Sequence, residues 1–393
     1  MCICLVYLAA IFEEQGSAAT MQTPLMIMLA AGLLLGLAAG FVMHRSDYCV
    51  AGMFRDLFLF RSTLMPRTLV LLVGLSLVLF ELVRLSGLVA FPFPFFGPPS
   101  GVNLVGGFLF GIGMVLAGGC VVGTLYKLGA GRFPSLLALI GLVAGSTLYA
   151  FVHPGWAAFS RMLALPTRAV TLPQLLGLPP WLLTVPVGCL LLGLVFVWFR
   201  QGRLRQHGVV EGYLQPWQAA LGLALIGVAS VLLLGMPMGI TTSYSKAGAM
   251  LLTGVAPELV AGTPYFQLQP LNYLPPLGGG PLTGGPGPLL DGVALVQFPL
   301  IIGIAAGSAL SALLLGEWQL HLRLPWRQVL SALLGGLLMG LASRMAPACN
   351  IWHLFGGLPI LAMQSLLFLA GLLPGAWLGG LLLTRLVMPP AAD

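Results

Sequence analysis

Two stretches of this chain, 229 residues apart, carry the same pattern around a cysteine, and both fall where a membrane-spanning helix would have to break. The first, GGFLFGIGMVLAGGC, runs from Gly106 to Cys120, and the second, GGLLMGLASRMAPAC, from Gly335 to Cys349. Gly106/Gly335, Gly107/Gly336, Gly111/Gly340, Ala117/Ala346 and Cys120/Cys349 all share the one offset. Whatever the first copy builds, the second builds again, and duplication inside an apolar chain marks transporters made of two related halves.

The solvent follows from the balance of residues. With 59% of 393 residues hydrophobic, 7% charged and a mean hydropathy of +1.02, the chain has more apolar surface than a water-soluble core can hide. It reads as an all-α polytopic membrane protein, because the apolar stretches are continuous where barrel strands would alternate. At about 17–25 apolar residues per span, spans are predicted near 24–43, 67–90, 102–119, 134–153, 180–199, 217–236, 293–315, 328–345 and 358–385, nine in all. The 53 glycines and 30 prolines fit close helix packing and interrupted spans. Short apolar pieces after several spans, Val50–Phe60, Val121–Leu128, Lys246–Thr253 and Ile351–Leu358, are too short to cross and are expected to be re-entrant half-helices.

A second match, Asp47-Tyr48-Cys49-Val50-Ala51-Gly52 with Ser243-Tyr244-Ser245-Lys246-Ala247-Gly248, has an offset of 196, the separation of Cys49 and Ser245. The order is then A, B, A′, B′. The two offsets differ by 33 residues, and the surplus falls in Pro257–Gly292, whose PPLGGGPLTGGPGP core is expected to be a surface loop rather than a helix. The organisation expected is an N-terminal extension (1–23) without functional weight, a first transmembrane half (24–199), a basic linker (200–216), a second half (217–385) carrying the 257–292 loop, and a tail (386–393). Met21 is an alternative start, and the run Cys2–Phe12 lacks the positive flank of a signal peptide.

The net charge of +7, from 17 Lys and Arg against 10 Asp and Glu, reports topology first. Arg200, Arg203 and Arg205 with His207 form the clearest basic loop and are placed in the cytoplasm; Arg323 and Arg327 form a weaker one. No nucleic-acid partner is implied. Six cysteines, Cys2, Cys4, Cys49, Cys120, Cys189 and Cys349, show no CxxC and no zinc-finger spacing, so no structural metal or cofactor is expected. There is no phosphate-binding P-loop either, so the chain itself hydrolyses nothing.

Four equivalent positions thus hold Cys49, Cys120, Ser245 and Cys349, each ahead of a half-helix. The free N–H groups and dipole at such a start favour an anion, and broken helices are where transporters put substrate sites. Thiols suit a soft partner, since S–H is a weak donor and sulfur a polarisable acceptor. Any one cysteine is also a small hydrophobe, the reading preferred for Cys189, Cys2 and Cys4; three at duplicated breaks are harder to dismiss. Among the ionisable residues beside the breaks, Lys127, Lys246 and Arg344 are expected to hold or admit an anion. Arg55 and Asp56 read as an interfacial pair and Arg132 as an end-of-helix anchor, while His353 stands between ligand and core residue. Gly118, Gly119, Gly123, Gly356 and Gly357 are expected to serve tight turns.

GFVMHRSDYCVAGMFRDLF (Gly40–Phe58), GGCVVGTLYKLGAGR (Gly118–Arg132) and SRMAPACNIWHLFGGLP (Ser343–Pro359) resemble the YeeE/YedE family of sulfur-compound transporters, over about 24–385. The resemblance implies two pseudo-symmetric halves forming an hourglass and a line of three cysteines that passes thiosulfate onward by S–H···S hydrogen bonds. By motif match these are Cys49, Cys120 and Cys349. It also implies a bacterial inner membrane and hand-over to a small cytoplasmic sulfur carrier of the TusA type. The family includes branches linked to selenium metabolism, so the substrate class is thiosulfate or a related reduced sulfur or selenium compound. Two other readings compete. A copper(I) or soft-metal permease would use Cys with Met, but the lysines and arginines at the breaks oppose a cation. A membrane thiol oxidoreductase or sulfurtransferase would need a resolving cysteine, and sites repeated across the two halves favour passage over turnover.

Overall fold

In lipid a backbone has no water to bond, so each apolar segment closes its own hydrogen bonds as helix and breaks only where protein surrounds the break. The computed structural model describes residues 19–387 apart from 90, 92, 94, 95, 207, 278, 279, 321 and 323. Cys2, Cys4, His207, Arg323 and residues 388–393 of the tail lie outside the described residues.

Four times the chain runs as a long helix, a break, a half-helix and a second long helix. The first unit is α1 (Ala19–Ser46), α2 (Val50–Phe60) and α3 (Leu64–Ser86); the second is α4 (Gly101–Leu116), α5 (Val121–Gly129) and α6 (Phe133–Met162). A one-turn helix α7 (Leu172–Leu175) and a lipid-facing helix α8 (Pro180–Arg200) follow, outside the pattern. The third unit is α9 (Pro216–Leu234), α10 (Thr242–Thr253) and, after an insertion, α12 (Gly292–Leu314). The insertion holds α11 (Pro257–Gly262), a 3₁₀ turn (Pro264–Gln267) and a hairpin of β1 (Leu271–Tyr273) with β2 (Leu282–Gly284). The last unit is α13 (Trp326–Met345), a half-helix wound as π over Trp352–Gly357 and 3₁₀ over Leu358–Ile360, and α14 (Met363–Leu382).

Among the described residues nine helices are long and apolar enough to cross a membrane, matching the nine predicted spans. Several boundaries differ by a few residues, α1 starting at Ala19 rather than near 24, and three differences are informative. The second span starts and ends earlier, because Gly87 takes φ +70° and stops α3. The fourth runs on to Met162, since Pro154 is accommodated inside α6. The ninth begins at Met363 rather than 358, because the preceding residues belong to the re-entrant piece.

The longest seams pair α1 with α12, α4 with α14, and α6 with α13, while α4 and α13 also pack on each other. Small residues let those backbones approach. A Cβ on Gly106 would meet Ala346 at 2.5 Å, and one on Gly335 would meet the backbone of Ala117 and Leu116. Ala117 and Ala346 are themselves equivalent in the duplication, so each copy of the motif packs on the other copy in the same way.

The Pro/Gly-rich stretch departs from the surface loop expected. Gly284, Gly285 and Gly287 are buried, and Tyr265, Phe266 and Leu271 pack inward. A side chain on Gly285 or Gly287 would strike the Leu268 or Phe266 carbonyl, so glycine is what lets this segment lie against itself. The Tyr273 hydroxyl donates to the Leu234 carbonyl at 2.8 Å, and Tyr265 packs edge-on to Tyr149 of α6. The insertion is therefore a strap from α6 to α9.

Candidate substrate path

Three of the four half-helices begin directly after a cysteine. Cys49 and Cys120 are the N-terminal caps of α2 and α5, and Cys349 precedes the helical turn that leads into the π segment. Each break needs unusual backbone to turn the chain. Asp47 has φ +46°, Gly118 φ +71° and Ala348 φ +101°. Gly119, Gly123, Gly356 and Gly357, expected to serve turns, have no positive φ. The fourth break differs: α10 starts at Thr242, so Ser245 lies inside the half-helix instead of capping it.

The three thiols are buried and free of disulfides. Cys49 and Cys120 lie side by side at Gly123, and the Gly123 N–H donates to Cys120 Sγ at 3.3 Å. A Cβ on Gly123 would stand 2.8 Å from Cys49 Sγ and 3.2 Å from Cys120 Sγ. The missing methyl of Gly123 is thus the room in which both sulfurs sit. On its other side Cys120 adjoins the amide of Asn350, the residue after Cys349, and the Tyr244 ring lies within electrostatic reach of both Cys120 and Cys349. Cys120 therefore has Cys49 on one side and the residue that follows Cys349 on the other.

Each end of the row has a cation. Lys127 lies within electrostatic reach of Cys49 and donates to the Gly118 carbonyl at 2.7 Å, which leaves two of its three N–H groups unused among the described residues. Beside it the Tyr126 hydroxyl donates to Asp47 Oδ1 at 2.8 Å. At the other end Arg344 lies near Cys349; its Nη1 donates to Thr242 Oγ1 at 3.0 Å, its Nη2 to Thr241 Oγ1, and its Nε has no partner among the described residues. The buried hydroxyls of Thr124, Ser243, Tyr244 and Ser245 are likewise unpartnered. Buried polar groups are normally satisfied, so such a collection at the breaks marks a place prepared for a polar guest.

Lys246 requires a correction. Its side chain is fully buried, and its three donors go to the Gly287 carbonyl at 2.8 Å, the Leu289 carbonyl and Asp291 Oδ2 at 2.9 Å. No N–H remains for an anion. The residue clamps the strap to α10. His353, stacked on Phe368 with Nδ1 2.9 Å from Ser365 Oγ, is enclosed in the packing behind the fourth half-helix. Arg55 and Asp56 form the interfacial pair expected, at 2.8 Å and about a third exposed. Cys189 is exposed on α8. Sequence reasoning missed Tyr244, Thr124 and the Thr241–Thr242 pair. The available signal was hydroxyl residues at or near the start of half-helices, where a thiol already drew the eye.

The fold and this row can be set against known proteins. A family model described as sulphur transport matches residues 45–378. The chain belongs to that family, the YeeE/YedE transporters. It is 28% identical over 367 residues to the thiosulfate transporter TsuA of Spirochaeta thermophila, covering 89% of this chain and 97% of that one. To TsuA of Escherichia coli it is 26% identical over 367 residues, covering 89% and 93%. YedE of Escherichia coli matches at 31% over 137 residues, 35% of this chain and 32% of its own. The protein is a multi-pass membrane transporter for a sulfur compound, and its family and relatives are transporters rather than enzymes.

Proposed function

We propose that this chain carries thiosulfate, or a closely related reduced sulfur or selenium anion, along Cys349, Cys120 and Cys49 in that order. The observation that carries the reading is the convergence of three buried thiols and four unpartnered hydroxyls on the breaks. A tetrahedral anion with one soft sulfur needs both: thiols meet the sulfur, and hydroxyl or N–H donors meet the oxygens. Relatives named thiosulfate transporters along almost their whole length support the same substrate.

Passage requires sites strong enough to admit the ion and loose enough to release it. Single S–H···S contacts supply such weak, repeatable binding. The thiols work protonated, because a thiolate would repel the anion, and oxidation would block the row. Arg344 and Lys127 draw the ion to the two mouths. The reciprocal packing of the duplicated motifs supports two pseudo-symmetric halves in an hourglass, with the thiols at its waist. Lys127 stands on the side of the linker, since Trp318 beside α5 donates to the Gly129 carbonyl and the Arg45 side chain holds Gly212. Basic linkers face the cytoplasm, so Cys49 is the inner thiol and the membrane is a bacterial inner membrane. A TusA-like sulfur carrier would collect the product there.

The test is radiolabelled thiosulfate uptake in a bacterial strain lacking its other sulfate and thiosulfate importers. Cys120→Ala and Cys349→Ala are expected to lose uptake while still expressing in the membrane, and Cys189→Ala to keep it. Equal loss in all three would sink the thiol row. No uptake by well-expressed wild type would move the substrate to another sulfur or selenium compound.

A further inference from the structure

Away from the thiol row, α3 and α8 enclose a cavity of about 240 Å³ together with α7 and the far end of the fourth half-helix. Its wall holds an acid and a base in a span that otherwise carries no charge between Arg67 and Glu81. Glu81 is 4% exposed, and Arg84 donates to it from Nε at 3.0 Å and from Nη2 at 2.5 Å. Burying a carboxylate is costly unless it is paired and hydrogen-bonded. The pair is not saturated. Among the described residues Arg84 Nη1 has no acceptor, and Glu81 Oε2 accepts only from Arg84 Nε, at 3.1 Å. Gln174 spends its carbonyl oxygen on the Val170 and Thr171 N–H groups, leaving its amide NH₂ as a further donor.

Depth identifies the surroundings. Arg67, at the other end of α3, donates to the Arg203 carbonyl at the basic linker. Seventeen residues of helix separate it from Arg84, about 25 Å at 1.5 Å per residue, close to the thickness of the hydrocarbon core. The cavity therefore lies at the opposite interface, at the level of lipid head groups, and the exposed ring of Trp181 on α8 suits that level. Its volume is just below the about 300–1,000 Å³ of small-molecule clefts, room for a head group rather than for a whole lipid.

We infer that this cavity binds the head group of a zwitterionic lipid of the phosphatidylethanolamine kind, phosphate toward Arg84 Nη1 and Gln174, ammonium toward Glu81. An acid beside a base discriminates. A phosphatidylglycerol head group offers Glu81 hydroxyls in place of an ammonium, and a choline head group has no N–H to donate. The bound lipid also reaches the transport machinery. Pro359 and Ile360, which line the cavity, end the half-helix that begins after Cys349, and hydrogen bonds from Leu172 N to Leu361 O and from Met363 N to Val170 O tie that end to the start of α7. Occupancy braces the outer thiol's half-helix from behind. The site is independent of what the thiol row carries.

The experiment is native mass spectrometry of the purified full-length protein with added phosphatidylethanolamine, phosphatidylcholine or phosphatidylglycerol, and unfolding temperature in nanodiscs of each. Wild type is expected to retain at least fivefold more phosphatidylethanolamine adduct than either other lipid, and to melt higher with it. Arg84→Gln and Glu81→Gln lose the preference. Because either could disturb α3, Thr184→Leu, which fills the cavity from α8 while keeping the ion pair, is expected to lose the adduct in a folded protein. Equal adducts for the three lipids, or wild-type adducts in both Thr184→Leu and Arg84→Gln, would overturn the site. Competition by glycerophosphoethanolamine as strong as by the lipid would make the ligand a soluble phosphate ester and overturn the lipid assignment.

Discussion

Cys49 and Cys120 adjoin the space that the missing methyl of Gly123 leaves open, so on the proposed path Gly123 matters as much as the two thiols. Gly123→Ala puts a carbon 2.8 Å from one sulfur and 3.2 Å from the other. Overpacking of that kind costs about 1–3 kcal/mol, and here it falls on the thiols themselves. Uptake is expected to fall about tenfold or more, at about 1.4 kcal/mol per decade, with the protein still folded by size-exclusion profile. Wild-type uptake in this variant would mean that the sulfurs need not meet. The placing of Cys120 and Cys349 at buried helix breaks was legible in the sequence because a duplicated motif carries a cysteine at the same point in both copies. Gly123 was legible only as a glycine, since the neighbour it accommodates, Cys49, lies far away in the chain. Lys246 was misread for the same reason: its carboxylate partner, Asp291, is 45 residues on, beyond a stretch whose folding no period announces.

Single elements carry strain and clamps that can be measured. Ala348, with φ +101°, sits where the duplicated copy has Gly119, and a β-carbon at positive φ costs about 1–2 kcal/mol. Ala348→Gly is expected to raise the unfolding temperature in detergent; an unchanged or lower value would mean that the turn is unstrained. The strap gives a second case. Removing one partner of a buried ion pair leaves the other uncompensated, at about 3–5 kcal/mol, so Lys246→Met is expected to lower thermal stability sharply. Asp291 also caps α12 by accepting from Val293 N and Ala294 N, at 3.0 and 3.3 Å. Lys246→Met with Asp291→Ser keeps a capping oxygen and removes both charges, and most of the loss should return. If the double variant is no better than the single one, the ion pair is not what holds the strap. Helix positions were readable because continuous apolar runs are unambiguous in lipid. The strap was not, because its order comes from glycine contacts and a distant lysine rather than from any run of its own residues.

For the whole molecule, orientation is the quantity to test. Val255 is 85% exposed between α10 and α11, and on the proposed topology it and Arg205 of the linker lie at opposite ends of the transmembrane region. In a Cys189→Ala background, a membrane-impermeant maleimide applied to intact cells is expected to label Val255→Cys and to spare Arg205→Cys until the cells are opened. The reverse pattern would turn the molecule over and make Cys49 the outer thiol. Nine spans were visible in the sequence, whereas the packing of each motif on its own copy was not, because offset alone does not say which helices touch.

Helix α8 has the least buried span, with 17% of its window inside the protein, and it stands outside the four repeating units. Yet it changes the parity of the chain. The first two units cross an even number of times, and one added crossing brings the third in from the opposite face. On the proposed reading of two related halves, this helix is what turns the second half over relative to the first. On that reading, its removal would leave two copies pointing the same way, with nothing of opposite direction to pair with.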